Sequence, residues 1–195
     1  MKKTKRATLL VTAVTAAIMV TATIAHADDS NVVITGDSLA LGAISTSDFG
    51  GITLNGAAQS TNATMSGFSV TDPRGTGLGW NITISASSFK EHAAGAYVES
   101  GETLGTSRFS MATATVAKAD ETSSDSPTMT AGTYTLDADA NSDGTSEAVK
   151  IASAGTDAGM GSYTVTPGQL ALSVPANVYA KTYRSDVTVT LSTGP

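Results

Sequence analysis

Thr71-Asp72-Pro73-Arg74-Gly75-Thr76-Gly77-Leu78-Gly79-Trp80-Asn81-Ile82-Thr83-Ile84 joins a glycine-punctuated turn to the only tryptophan of the chain. From Leu78 onward apolar and polar residues alternate. Leu78, Trp80, Ile82, Ile84 and Ala86 fall on one side of an extended backbone, and Asn81, Thr83, Ser85 and Ser87 on the other. This period of two predicts a strand with one buried face, and Trp80 points into the core. A buried Trp covers about 150–250 Å², which at about 25 cal/mol per Å² is an upper bound of about 4–6 kcal/mol. In the turn, Pro73 presets φ, Gly75 and Gly77 accept positive φ, and Gly79 lets another backbone approach beside the indole. Asp72 and Arg74 bracket Pro73. There Asp accepts backbone N–H groups and Arg pairs with it or stacks on an aromatic ring, so these two read as loop architecture before ligand contacts.

Upstream, Met1-Lys2-Lys3-Thr4-Lys5-Arg6 is basic, residues 7–25 are uncharged, and Ala25-His26-Ala27 precedes Asp28-Asp29. The order of basic, apolar and small-residue regions predicts a secretory signal peptide over residues 1–27, cleaved after Ala27. The run is rich in Ala and Thr, which argues against an uncleaved anchor, and no other segment could span a membrane. Removing 27 of 195 residues leaves 168, the size of one domain, over residues 28–195. Loss of the four leader cations takes the formal charge from −6 to −10, which disfavours nucleic acid as a partner. With no cysteine, an exported domain must be held by packing and sheet hydrogen bonds.

The remainder is made of short apolar runs separated by Gly, Asp, Asn and Ser: Val32-Val33-Ile34, Leu39-Ala40-Leu41, Phe68 to Val70, Phe109-Ser110-Met111, and later Ile151, Tyr163, Val165, Leu170, Leu172 and Val174. These predict strands. Helical periodicity is absent apart from room for one turn over 89–96. The expected fold is all-β, a single antiparallel β-sandwich with Greek-key-like connections. Residues 119–126 read as an exposed loop.

The run Val70 to Ile82 resembles the first signature of the WxL domain, a surface module of Gram-positive bacteria, in the form V-x-D-x-R-G-T-G-x-G-W-x-L. Ile82 stands where the family has Leu, a swap that keeps apolar volume on the buried face. Further on, residues 154–163 and Leu170 to Tyr183 are similar to the family's glycine-rich approach and its L-x-V-P-A-N-x-x-A-G-x-Y element, with Lys181 for the usual Gly. In the last strand Tyr183, Val187, Val189 and Leu191 alternate with Arg184, Asp186, Thr188 and Thr190. Val189-Thr190-Leu191 occupies the second Trp-x-Leu, so Val189 replaces the second indole. The resemblance implies an exported cell-surface protein attached non-covalently to peptidoglycan or another cell-wall component, alongside a membrane-tethered, WxL-recognising partner. It carries Asp72, Arg74, Gly75, Trp80, Ile82, Val189 and Leu191 as motif binding residues. The alternative is a structural or adhesive subunit acting through exposed sheet edges.

Little in the chain suggests catalysis. His26 lies in the leader, which leaves His92, read as a solvated loop residue, and there is neither Cys nor a paired-carboxylate motif. No enzyme and no required cofactor are expected. One acidic run, residues 137–147, has metal-ligand spacing: Asp139, Asn141, Asp143 and Glu147 fall at positions 1, 3, 5 and 9, with Gly144 at the sharp turn. Lys150 at position 12 excludes an EF-hand. What remains is a calcium loop between strands closed by Glu147, or an Asp-Gly hairpin joining Tyr134-Thr135-Leu136 to Ala148-Val149-Lys150-Ile151. The hairpin is preferred, because such runs also occur as plain turns.

Overall fold

The computed structural model describes residues 32–142 and 145–195, and residues 34–195 form one compact unit. The leader assigned to residues 1–27 and Asp143 of the acidic run lie outside the described residues. Among the described residues the secondary structure is strand without helix, and every pairing is antiparallel. Thr, Val and Ile supply strand propensity, and glycines with positive φ supply the reversals.

Four sheets result. The first orders β1 (Ala40–Leu41), β3 (Phe68–Asp72), β12 (Gly161–Thr166) and β8 (Thr115–Lys118). A second orders β10 (Tyr134–Thr135), β7 (Phe109–Met111), β13 (Leu170–Val174) and β2 (Gln59–Ala63). The third carries the tryptophan and orders β15 (Val187–Thr193), β4 (Trp80–Ala86), β11 (Val149–Ala154) and β9 (Thr128–Met129). The smallest orders β14 (Tyr183–Arg184), β5 (Lys90–Ala93) and β6 (Ala96–Tyr97).

Strand β4 bears out the alternation: Trp80, Ile82, Ile84 and Ala86 are buried and the residues between them are half-buried. Leu78 departs from it and is 54% exposed. Gly79 has φ +69°, and this left-handed residue ends the period before the strand begins at Trp80. The core faces of the sheets meet in one cluster that includes Trp80, Tyr163, Phe109, Met111, Leu136 and Ile151.

Four further expectations are corrected. Residues 89–96 hold no helical turn. Lys90–Ala93 pairs with Ala96–Tyr97 through a tight turn in which Ala94 (φ 51°) and Gly95 (φ 85°) are both left-handed, the geometry that matches hairpin twist. His92 therefore sits in a strand rather than a loop, its ring edge-on to Tyr97 at 5.5 Å. The strand at Tyr134 pairs with β7, and β11 pairs with β4 and β9, so the acidic run does not join a hairpin. Within 119–126, which is mostly exposed, Ser123 is buried under β12, its hydroxyl accepting the Ser162 N–H at 3.0 Å.

Candidate functional site

The turn that opens β4 is held by one ion pair. Asp72 closes β3 with its carboxylate buried. Oδ1 accepts Arg74 Nε–H at 2.8 Å and the Arg74 backbone N–H at 3.2 Å, and Oδ2 accepts Nη2–H at 2.8 Å. This fork-to-fork contact is the strong form of a charge pair. The side-chain hydrogen bonds from Arg74 hold the Asp72 carboxyl below the usual carboxylate range, against the opposing effect of burial. The guanidinium also reaches the start of β4 and the far end of the chain: Nη2 donates to the Gly79 carbonyl at 2.7 Å, and Nη1 to Thr193 Oγ1 at 3.0 Å. Gly194 N–H donates to the same Gly79 carbonyl at 3.1 Å, and Asn81 Nδ2 donates to the Gly194 carbonyl at 2.8 Å. The turn is braced from another side by the Asp157 N–H, which donates to the Gly77 carbonyl at 2.8 Å.

Gly79 is required by space as well as by φ, because a Cβ there would lie 2.2 Å from the Ala154 carbonyl oxygen. That close approach brings residues 154–159 beside the indole. Trp80 is fully buried, its Nε1–H donates to the Gly159 carbonyl at 2.9 Å, and its ring meets Tyr163 edge-on at 5.9 Å. The Tyr163 hydroxyl in turn donates to the Ser124 carbonyl at 2.8 Å. The first signature and the glycine-rich approach are therefore two halves of one packing unit.

The second signature pairs directly with the first. Val189 lies opposite Ile84, Leu191 opposite Ile82 and Thr193 opposite Trp80. Val187, Val189 and Leu191 share the core-facing side but stay half-buried. Position 189 is thus separated from Trp80 by four residues, about 13 Å along the strand, and it faces different surroundings. It lines a cleft of about 1320 Å³ between β15 and β13, roofed by residues 44–54. Phe49 of that roof packs edge-on against Phe89 at 5.6 Å and Phe109 at 5.5 Å. At the rim Tyr179 is 62% exposed and Lys181 Nζ pairs with Glu91 at 3.0 Å.

Of the motif residues, Asp72, Trp80 and Ile82 are buried, Arg74 is nearly so, Val189 and Leu191 are half-buried, and Gly75 is exposed on the turn. Burial makes the first group a framework for the exposed loop formed by residues 75, 76 and 78.

The acidic run is divided. Asp137 is fully buried, contrary to its expected place among solubilising acids: its carboxylate accepts the N–H groups of Arg108 and Phe109, both at 3.0 Å. Nothing in the sequence around Asp137 distinguished it from the exposed acids that follow. Glu147 closes the loop by accepting the N–H groups of Ala140 at 2.8 Å and Asn141 at 3.2 Å, while its own N–H donates to the Ala138 carbonyl at 2.9 Å. Among the described residues no three His, Cys, Asp or Glu side chains converge as metal ligands.

A family model described as the WxL domain, surface cell wall-binding, matches residues 24–195. The chain belongs to the WxL family. It is therefore a cell-surface, cell wall-binding module. No curated protein and no solved structure matches the chain. No helix among the described residues is long and apolar enough to cross a membrane.

Proposed function

We propose that this WxL domain is an exported, non-catalytic protein that attaches non-covalently to peptidoglycan, and that its wall contact is the loop raised by the Asp72–Arg74 pair. The family match over residues 24–195 carries the reading. The geometry supports the choice of surface: the loop is braced on both flanks by hydrogen bonds yet presents Gly75, Thr76 and Leu78 to solvent. A rigid loop loses little freedom on binding, which favours attachment to a polymer through a small patch. The fold we propose is a single sandwich with Greek-key-like connections, a reading supported by the one core cluster against which the antiparallel sheets pack. The leader over residues 1–27 directs export and is cleaved after Ala27, and a membrane-tethered, WxL-recognising protein is the partner that the family suggests.

Leu78→Asp tests the surface. Leu78 lies outside the core, so the melting temperature is expected to hold while the fraction of protein sedimenting with purified walls falls. Unchanged sedimentation would move the contact elsewhere, to the cleft beside Val189.

A second reading, a subunit of a surface assembly, is favoured by one observation: among the described residues β15 borders its sheet with no strand on its outer side.

A further inference from the structure

Residues 44–54, which roof the cleft, set out as a hairpin partner of the chain that leads through β2. Thr46 bridges Met65, Ser47 N–H donates to the Thr64 carbonyl, and Ser66 N–H donates to the Ser45 carbonyl, both at 2.8 Å. Continued residue for residue from that bridge, the register sets Leu54 opposite Ala57 and leaves Asn55-Gly56 as a two-residue turn. Asn-Gly is the pair best suited to such a turn, whose type I′ form needs left-handed φ at both positions. Gly56 has φ +81°, but Asn55 is not left-handed, and its Oδ1 accepts the Ala57 N–H at 3.0 Å.

This hairpin is unzipped between its bridge and its turn. Among the described residues no backbone–backbone hydrogen bond reaches residues 48–58. The edge of β2 that they would pair with is open. Ser173 N–H donates to the Arg108 carbonyl beside β7, so by the alternation of antiparallel ladders Leu170, Leu172 and Val174 turn their backbone groups to β2, opposite Ala63, Thr61 and Gln59. Ser60 and Asn62 are left with N–H and C=O directed outward.

Phe49 parts the two arms. In continued register it would lie opposite Asn62, on the exposed side of β2, yet it packs against Phe89 and Phe109 in the core. That inversion carries the following residues off β2 and over the cleft, where Ile52 and Leu54 join the lining and Leu54 stays 40% exposed. Thr61 Oγ1, donating to the Gly50 carbonyl at 3.0 Å, ties the stretch to β2. Next to it Gln59 Oε1 is buried without a hydrogen-bond partner among the described residues, an unmet acceptor that disfavours the position seen.

We propose that residues 48–54 are a gate over the 1320 Å³ cleft, with Phe49 as its latch and Asn55-Gly56 as its pivot. In the second position Asn55 turns left-handed, which Asn tolerates better than other side chains. Residues 49–54 then zip onto the free edge of β2, Phe49 moves to the solvent side, and the mouth of the cleft opens. Loss of the aromatic contacts is offset by new backbone pairs, which keeps the two positions close enough in free energy to exchange. Residues 75–78 do not line the cleft, so the gate is independent of the wall contact proposed for that loop.

The test introduces one cysteine at a time into the exported chain, which has none of its own, and follows its reaction with a maleimide. Val174→Cys reports the cleft, and Val165→Cys reports buried core outside it. Phe49→Ala should speed labelling at position 174 by about tenfold or more relative to position 165. Asn55→Pro fixes φ near about −65°, which suits the position seen and forbids the zipped one, so labelling at 174 should slow while 165 is unchanged. Asn55→Gly should speed it. Labelling at 174 that ignores both Asn55 substitutions, or a Phe49→Ala effect equal at the two cysteines, would overturn the proposal.

Discussion

Arg74 and Thr193 stand 119 positions apart in the chain and meet through one hydrogen bond, Nη1–H to Oγ1 at 3.0 Å. The same guanidinium neutralises Asp72 and caps the Gly79 carbonyl, so a single side chain joins the end of β3, the start of β4 and the end of β15. The first signature and the strand that carries the second meet at it.

Removing Arg74 leaves a buried carboxylate without its counter-charge, and Arg74→Ala is expected to destabilise the domain by about 3–5 kcal/mol. The pH dependence follows from the lowered Asp72 carboxyl. Its contribution is complete above the ordinary carboxylate value, about 3.9, and is lost as pH falls through the lower folded value. Glu91 and Asp120 are shifted in the same direction by Lys181 and Thr122, so wild type alone does not isolate Asp72. The difference in melting temperature between wild type and Asp72→Asn does: it should be largest near neutrality and shrink as acid is added below about pH 4. A difference that stays constant down to the lowest pH would remove Asp72 as the titrating group.

Trp80→Ala should cost about 3–5 kcal/mol, from loss of core volume together with the hydrogen bond to Gly159. Gly79→Ala should destabilise by more than the about 0.4–1 kcal/mol by which a strain-free Gly→Ala change stabilises, since the new Cβ meets the Ala154 carbonyl and the φ of +69° disfavours it. Thermal unfolding checks both. A Trp80→Ala protein that keeps its melting temperature but loses wall binding would make the indole a contact.

Much of this was legible before the fold. The period of two from Trp80 to Ala86 marked the central strand, and the alternation of Val187, Val189 and Leu191 marked the last one, because one-sided burial writes itself directly into residue order. What escaped depended on backbone geometry or on long-range pairing. Leu78 continued the pattern on paper, but the left-handed Gly79 turns it out of the core. The Ala94-Gly95 turn lacks the Asn-Gly or Asp-Gly pair that announces a hairpin. Tyr134 chose β7 over the nearer β11, and Asp137 was drawn inside by backbone N–H groups 28 and 29 positions away, partners that no local window contains.

Val189 faces the cleft and is half-buried, so an indole there has space that a closed core would deny. Val189→Trp is expected to leave stability within about 1 kcal/mol, below the usual 1–3 kcal/mol of an overpacked core. A larger loss on denaturation would show that the cleft closes around this position in solution.

For the acidic loop, Glu147 is already engaged with the Ala140 and Asn141 N–H groups. We expect superimposable melting curves in chelator and in millimolar calcium. A rise with calcium, reaching about 2.7 kcal/mol at a hundredfold excess over Kd and abolished by Asp143→Ala, would instead establish a metal site.

We propose that the exported chain holds to the wall polymer itself. The direct measurement is co-sedimentation of the purified exported protein with isolated walls, before and after those walls are stripped of their proteins. Retention on stripped walls, with competition by soluble peptidoglycan fragments, is the predicted result. Binding that disappears with the wall proteins would contradict it and make another surface protein the anchor.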